Sequence, residues 1–225
     1  MSESERRADR VDLLLTVVIA LAAVATTWAG FQSTKWSGVQ ANSYAQAGAA
    51  RTESSRMTTE ASELRIIDVS AFVGWLDALD SELRADPAGG LPEAYRPQPG
   101  TISGFMFTRF RDEFRPAVDA WLATRPLVNP DAPPTPFAMP EYRLAADEEA
   151  ARLAQRSEEY AAQARDANQR ADNYVLTAVV FALVLFFAAM GQRATRKIPR
   201  RLLIALTLVA FAVAVVTLAT YPVEL

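Results

Sequence analysis

Residues 174–221 read YVLTAVVFALVLFFAAM, then GQRATRKIPRR, then LLIALTLVAFAVAVVTLATY: two uncharged apolar runs joined by a short basic link. The runs, 174–190 and 202–221, are close to the roughly 20 residues that an α-helix needs to cross a bilayer. A third apolar run covers residues 11–31, and Asp12 is the only charged residue in any of the three. These runs predict an all-α membrane protein with three transmembrane helices.

The link, residues 191–201, carries five basic side chains: Arg193, Arg196, Lys197, Arg200 and Arg201. Three more precede the first run: Arg6, Arg7 and Arg10. Because positive residues in short loops stay cytoplasmic, we expect residues 1–10 and 191–201 inside and residues 32–173 and 222–225 outside. A basic cluster beside a span also attracts anionic headgroups, so membrane lipids are the expected ligands of the link.

The first run has a second interpretation, as a cleaved signal peptide. Its basic start and the sequence Ala23-Val24-Ala25 fit a cleavage pattern. The apolar run nevertheless continues to Phe31, and Trp28 and Trp36 suit an aromatic anchor at the membrane interface. We therefore expect a retained helix, with cleavage as the alternative.

The composition restricts the chemistry and the partners. The chain contains no histidine and no cysteine, which excludes imidazole-assisted nucleophiles, thiolate chemistry and zinc sites with those ligands. Residues 32–173 carry 15 basic and 21 acidic residues, and this acidic balance argues against nucleic acid as a partner. Arginine far outnumbers lysine and alanine is abundant, which is typical of GC-rich bacterial genomes, so we expect a bacterial plasma-membrane protein.

Residues 141–173, which return the insert to the membrane, show the clearest helical periodicity of the chain. Small or apolar residues recur at alternating steps of four and three, as in the seam of a coiled coil: Ala146, Ala150, Leu153, Ser157, Tyr160, Ala164, Ala167, Ala171 and Tyr174. No glycine or proline interrupts this arm, so we expect its helix to run directly into the second span.

The outgoing arm after the first span carries two such stripes. The first stripe consists of Ala41, Ala45, Gly48, Thr52, Ser55, Thr59, Ser62, Ile66, Val69, Val73 and Leu76. The second stripe lies on another face and consists of Ala47, Ala50, Ser54, Met57, Ala61 and Leu64. We expect a coiled-coil-like hairpin in which the first stripe packs on the return arm and the second stripe contacts another copy of the chain. A single broad face in a monomeric bundle is the alternative.

The tip of the hairpin, residues 84–140, is irregular and rich in proline. One helix is predicted near residues 108–124, and residues 126–140 read as extended or polyproline II chain. The densest aromatic patch outside the spans lies here: Phe105, Met106, Phe107, Phe110 and Phe114. These side chains either form a small core that closes the tip or provide a docking surface for a partner. The proline segment is either a packed cover or a peptide ligand.

No catalytic, cofactor-binding or metal-binding motif emerges. Acidic pairs such as Asp77 with Asp80 and Asp112 with Glu113 lack the spacing of a calcium loop and have the neighbours of solvated helices. The spans offer threonine hydroxyls and no ionisable residue at membrane depth, where such residues are costly and mark function. We therefore expect no enzyme and no cofactor.

Directly after the first span, residues 36–47 read WSGVQANSYAQA. With this stretch and the order of one span, a helical insert and two spans joined by a basic turn, the chain resembles uncharacterised bacterial three-span membrane proteins. The resemblance implies the same topology and supplies no activity. The tip is longer than that group implies.

Together these features predict a homo-oligomeric scaffold or accessory subunit whose extracytoplasmic hairpin makes protein–protein contacts, with itself or with another membrane protein. The alternative is a subunit of an oligomeric pore or channel, in which spans from several copies line a pathway.

Overall fold

The computed structural model describes residues 3–85, 95–194 and 196–224 of the chain. Every regular element in this part is a helix: α1 (Glu3–Ala85), α2 (Ile102–Phe107), α3 (Arg115–Ala123), a short 3₁₀ helix (Pro136–Ala138), α4 (Ala145–Arg193) and α5 (Lys197–Thr220). The expected all-α class is confirmed for the described residues.

Helices α1, α4 and α5 are each long and apolar enough to cross a membrane. The mean hydropathy of their apolar stretches is 2.1, 2.4 and 2.8, respectively. The three apolar runs of the sequence therefore correspond to three helices that could span a bilayer.

Helix α1 is a single element of 83 residues, so the expected tail 1–10, the first span and the outgoing arm are continuous. The charges of the tail end the apolar run without ending the helix, because glutamate and arginine are good helix formers. The first proline of the chain is Pro87, so nothing before it removes a backbone donor.

Helix α4 combines the return arm with the second span, as predicted. It begins at Ala145, four residues later than expected. Asp147 and Glu148 lie in its first turn, where negative charges interact favourably with the helix dipole and stabilise the helix. In α5, Pro199 is the third residue, and at this position its missing N–H removes no helical hydrogen bond.

The chain divides into two compact units, which are described separately. The first, here called the bundle, comprises Met1–Gly48 and Glu158–Leu225. Its core consists of small and aromatic residues from α1, α4 and α5: Val18, Ala22, Ala29, Trp36, Ala167, Ala171, Tyr174, Phe181, Val184 and Ala214. The alanines allow the helices to approach closely, which is the main source of packing energy between helices in lipid.

The second unit, here called the head, comprises Ala49–Ser157. Its core is aromatic and consists of Phe72, Trp75, Leu79, Phe107, Phe110, Phe114, Ala117, Val118 and Trp121. Phe72 contacts Trp121 edge-to-face with ring centroids 5.3 Å apart. Such pairs contribute about 0.5–1.5 kcal/mol to stability beyond the contribution of their buried apolar area.

The helix predicted near residues 108–124 is confirmed only over its second half, as α3, and α2 was not predicted. The structure has two short helices, α2 and α3, with turns over residues 108–114 between them. Pro116 lies in the first turn of α3 and not at a kink. A continuous helix would place Pro116 in its interior, where the ring clashes with the preceding turn and the missing N–H removes a hydrogen bond, whereas in the first turn of α3 it removes none.

Residues 126–140 were expected to be extended, and the structure instead shows turns and the 3₁₀ helix. Trp121 donates a hydrogen bond from Nε1 to the Pro133 carbonyl at 2.7 Å. The Phe137 ring stacks on Phe114 with centroids 5.0 Å apart. This segment is therefore a packed cover of the head, as one of the two interpretations held. The part of the tip over 86–94 lies outside the described residues.

Candidate functional site

The second stripe of α1, predicted to face another copy, is directed at α4 of the same chain in the head. Ala61 has no exposed surface and packs with Leu144 and Ala146. Ser54 donates a hydrogen bond from Oγ to the Ala150 carbonyl at 2.8 Å. Of the remaining members, Ala47 and Ala50 are buried, and Met57 and Leu64 are half-buried.

The first stripe, predicted to pack on the return arm, is exposed over its distal part. Ile66, Val69 and Val73 expose 66%, 41% and 49% of their surface. Ser55 and Ser62 are exposed, and their hydroxyls donate to carbonyls four residues earlier in α1. The second stripe therefore packs against the same chain in the head, the distal part of the first stripe is exposed, and the seam predicted on α4 is buried or half-buried throughout.

Some residues of the aromatic patch form a core that closes the tip, and one is exposed as a docking surface would require. Phe107, Phe110 and Phe114 are buried in the core, and Met106 is half-buried against it. Phe105 is 57% exposed, with the Arg109 guanidinium 3.6 Å from its ring centroid. Only Phe105 is thus placed to meet a partner directly.

A buried ionic network joins α1 to the loops of the head. Asp68 is 1% exposed and accepts hydrogen bonds from Arg111 at 2.9 Å and from the Tyr142 hydroxyl at 3.1 Å. Arg111 also pairs with Glu113, whose other oxygen accepts from the backbone N–H of Ala145 at 3.2 Å, where α4 begins. The network connects three segments far apart in sequence.

The environment of this network shifts two pKa values. Burial, opposed by the Arg111 charge and by hydrogen bonds, raises the pKa of Asp68 above its ordinary value. Burial, together with the neighbouring Asp68 carboxylate, raises the pKa of Tyr142 to about 12. The hydroxyl therefore remains a donor to Asp68 across the physiological range.

A second acidic residue of α1 fixes the start of α2. Glu82 accepts hydrogen bonds from the backbone N–H and the hydroxyl of Ser103 at 2.8 and 2.6 Å. Tyr95 donates to the same Ser103 hydroxyl at 3.0 Å. Burial alone would raise the pKa of Glu82. The hydrogen bonds from Ser103 and one from the Ile102 backbone have the larger combined effect, and the pKa of Glu82 is lowered from its ordinary value.

The basic link is less uniform than the sequence indicated. Arg193, Arg196 and Arg201 are exposed, as contact with headgroups requires, and the Lys197 side chain lies outside the described residues. Arg200 is half-buried and donates from Nη2 to Asp12 Oδ1 at 2.5 Å. This ion pair neutralises the one charge that lies within an apolar run.

At the opposite end of the first span, Gln32 has no exposed surface. Its amide pairs with the backbone of Glu224: Nε2 donates to the carbonyl at 3.0 Å, and Oε1 accepts from the N–H at 2.9 Å. Trp36 Nε1 and the Tyr174 hydroxyl both donate to the Pro222 carbonyl, at 3.2 and 3.0 Å. We call Gln32, Trp36 and Tyr174 the clamp.

Further polar contacts surround the clamp within the bundle. The Arg170 guanidinium lies 4.5 Å from the centroid of the Trp36 ring, and Gln40 donates to Asn168 Oδ1 at 2.9 Å. The sequence analysis missed the clamp. Its signal was the spacing of Gln32, Trp36 and Gln40, which places three polar or amphipathic side chains on one face of α1 just beyond the span.

Two acidic side chains of the head form ion pairs. Glu113, from an acidic pair noted in the sequence, pairs with Arg111, and Asp147 pairs with Arg65. Among the described residues, no group of three or more acidic side chains is placed to hold a metal ion.

Comparison with protein-family models, with curated proteins and with solved structures finds no match. The resemblance to bacterial three-span proteins accordingly remains a prediction from residues 36–47 and the order of the spans.

Proposed function

We propose that this protein is a non-enzymatic membrane scaffold or accessory subunit that self-associates through the first stripe of α1. The observation that carries the proposal is the exposed aliphatic end of this stripe, at Ile66, Val69 and Val73. These side chains lie outside the core of the head, to which α1 contributes Phe72, Trp75 and Leu79.

The spacing of the stripe favours a second copy as the partner. Ile66 and Val73 are one heptad apart with Val69 between them, which is the spacing of the core positions of a coiled coil, and β-branched residues are accepted at the core positions of parallel coiled coils. Copies in one membrane cross it in the same direction, so their α1 helices are parallel. Ile66, Val69 and Val73 of one copy then each meet their own counterparts in the other.

The threonines of the spans support a scaffold over a channel. Thr26, Thr27, Thr177 and Thr207 each donate to a carbonyl four residues earlier in their own helix. Their donors are therefore satisfied locally, and no observation favours a threonine-lined pathway. These contacts fit spans that anchor the hairpin in the membrane better than spans that line a pathway.

Neighbouring serines on different faces of α1, Ser54 half-buried and Ser55 exposed, provide a matched test. The protein has no native cysteine, so Ser55→Cys and Ser54→Cys each introduce a single thiol of nearly native size. We expect Ser55→Cys to form a covalent dimer in intact membranes under mild oxidation. Ser54→Cys, which faces α4, should remain monomeric.

Failure of Ser55→Cys, Ser62→Cys and Val69→Cys alike to form dimers would reject self-association through this stripe. Equal dimer yields from Ser54→Cys and Ser55→Cys would show that the thiols react by random collision. Both measurements use the full-length protein in its membrane.

A further inference from the structure

We propose that the clamp is a binding site for extended polypeptide backbone, and that residues 222–224 of the same chain are its ligand. All four hydrogen bonds of the clamp end on backbone groups of Pro222 and Glu224, and none ends on their side chains. The site thereby recognises a conformation and not a side-chain sequence. This inference is independent of self-association.

The amide of Gln32 shows that the site is built for this ligand. A buried amide that lacks partners costs about 1–3 kcal/mol, and glutamine carries both an acceptor and a donor group. One residue of extended chain supplies the carbonyl and the N–H that match them. Gln32 thus pairs with Glu224 as one strand residue pairs with another across a ladder.

The two aromatic residues fix the register of the ligand. Trp36 and Tyr174 are 6% and 1% exposed, and each directs its one polar atom at the same carbonyl. A carbonyl oxygen has two lone pairs and accepts both bonds. Proline has no backbone N–H, so the carbonyl is the only backbone hydrogen-bonding group that Pro222 offers the clamp. Glu224 follows two residues later and pairs with Gln32.

The consequence is that the clamp retains the third membrane helix. Only 11% of the apolar stretch of α5 is buried, against 33% for α4. Apolar surface gains little by leaving lipid for another helix, so directed polar contacts carry more of the association. The segment that the clamp binds follows directly after α5, and it ties that end of α5 to α1 and α4.

Hydrogen exchange of the Glu224 amide tests the site directly, with the full-length protein in lipid nanodiscs. In Gln32→Leu, which removes both bonds to Glu224, we expect this amide to exchange at least about tenfold faster. Gln46→Leu, at an exposed position of the same helix, should exchange like the wild type. Glu224→Ala should also retain slow exchange, because the clamp binds backbone only.

Two outcomes would overturn the proposal. The first is that the Glu224 amide exchanges at the wild-type rate both in Gln32→Leu and in the double variant Trp36→Phe, Tyr174→Phe. The double variant keeps the packed rings and removes only their donors, so it tests the site even if Gln32→Leu does not fold. The other is acceleration in Glu224→Ala equal to that in Gln32→Leu, which would mean that the side chain is what is recognised.

Discussion

Asp68 illustrates how one buried charge organises the head. Its carboxylate lies in the aromatic unit with 1% of its surface exposed, and its partners come from the two loops on either side of α3. Removing one member of a buried, hydrogen-bonded charge pair leaves the other without compensation. The position therefore requires an acceptor, although the charge itself is costly.

We expect Asp68→Ala to lower the free energy of unfolding of the head by about 2–3 kcal/mol, because Arg111 and Tyr142 both lose an acceptor. Asp68→Asn should lose less, since an amide oxygen can still accept. Chemical denaturation of the full-length protein in nanodiscs, followed by tryptophan fluorescence, measures both. An effect of Asp68→Ala below that of Asp68→Asn would contradict the assignment.

The same carboxyl gives a pH dependence of defined sign. Its pKa in the folded protein is raised above the ordinary value of 3.8, so between these two values the folded state binds the extra proton. The contribution of Asp68 to the free energy of unfolding therefore rises as pH falls through that interval. The difference in stability between wild type and Asp68→Asn should change with pH in that direction, and parallel pH profiles would exclude it.

At the scale of elements, α1 is defined by which of its two stripes meets α4. Ala61 and Ser62 are adjacent in sequence and lie on opposite stripes, buried and exposed. Ala61 packs with Leu144 and Ala146, whereas the Ser62 hydroxyl donates to the Thr58 carbonyl of its own helix.

We expect Ala61→Leu to destabilise the head by about 1–3 kcal/mol, because the larger side chain overpacks the contact with Leu144 and Ala146. Ser62→Leu adds the same side chain one residue further on and should change stability by less than about 0.5 kcal/mol. Thermal unfolding of the two variants side by side gives the comparison. Equal losses would mean that both faces of α1 are packed.

The sequence analysis recognised both stripes but did not predict that the second one packs against α4 of the same chain. The second stripe continues beyond Leu64 through Asp68 and Trp75 into the core of the head, but a charged residue in the series ended the apolar pattern. Only Arg111 and Tyr142, which lie more than 40 residues away in sequence, make that position tolerable. Periodicity alone cannot supply such partners.

At the scale of the whole molecule, the orientation proposed from the basic residues can be tested with single cysteines. Asp131 in the head and Gln192 near the link are both exposed. In intact cells an impermeant thiol reagent should label Asp131→Cys, whereas Gln192→Cys should react only after the membrane is opened. The reverse pattern would invert the topology.

The sequence by itself determined the three apolar helices, the continuous seam of α4 and the absence of histidine and cysteine chemistry. These properties depend on composition and on spacing within one helix, which a single segment contains. Tertiary structure decided which stripe of α1 has an exposed distal part, how the aromatic residues of the tip divide between core and surface, and that Gln32 binds residues 222–224. These depend on pairs such as Gln32 with Glu224, 192 residues apart, whose hydrogen bonds leave no periodic trace in the chain.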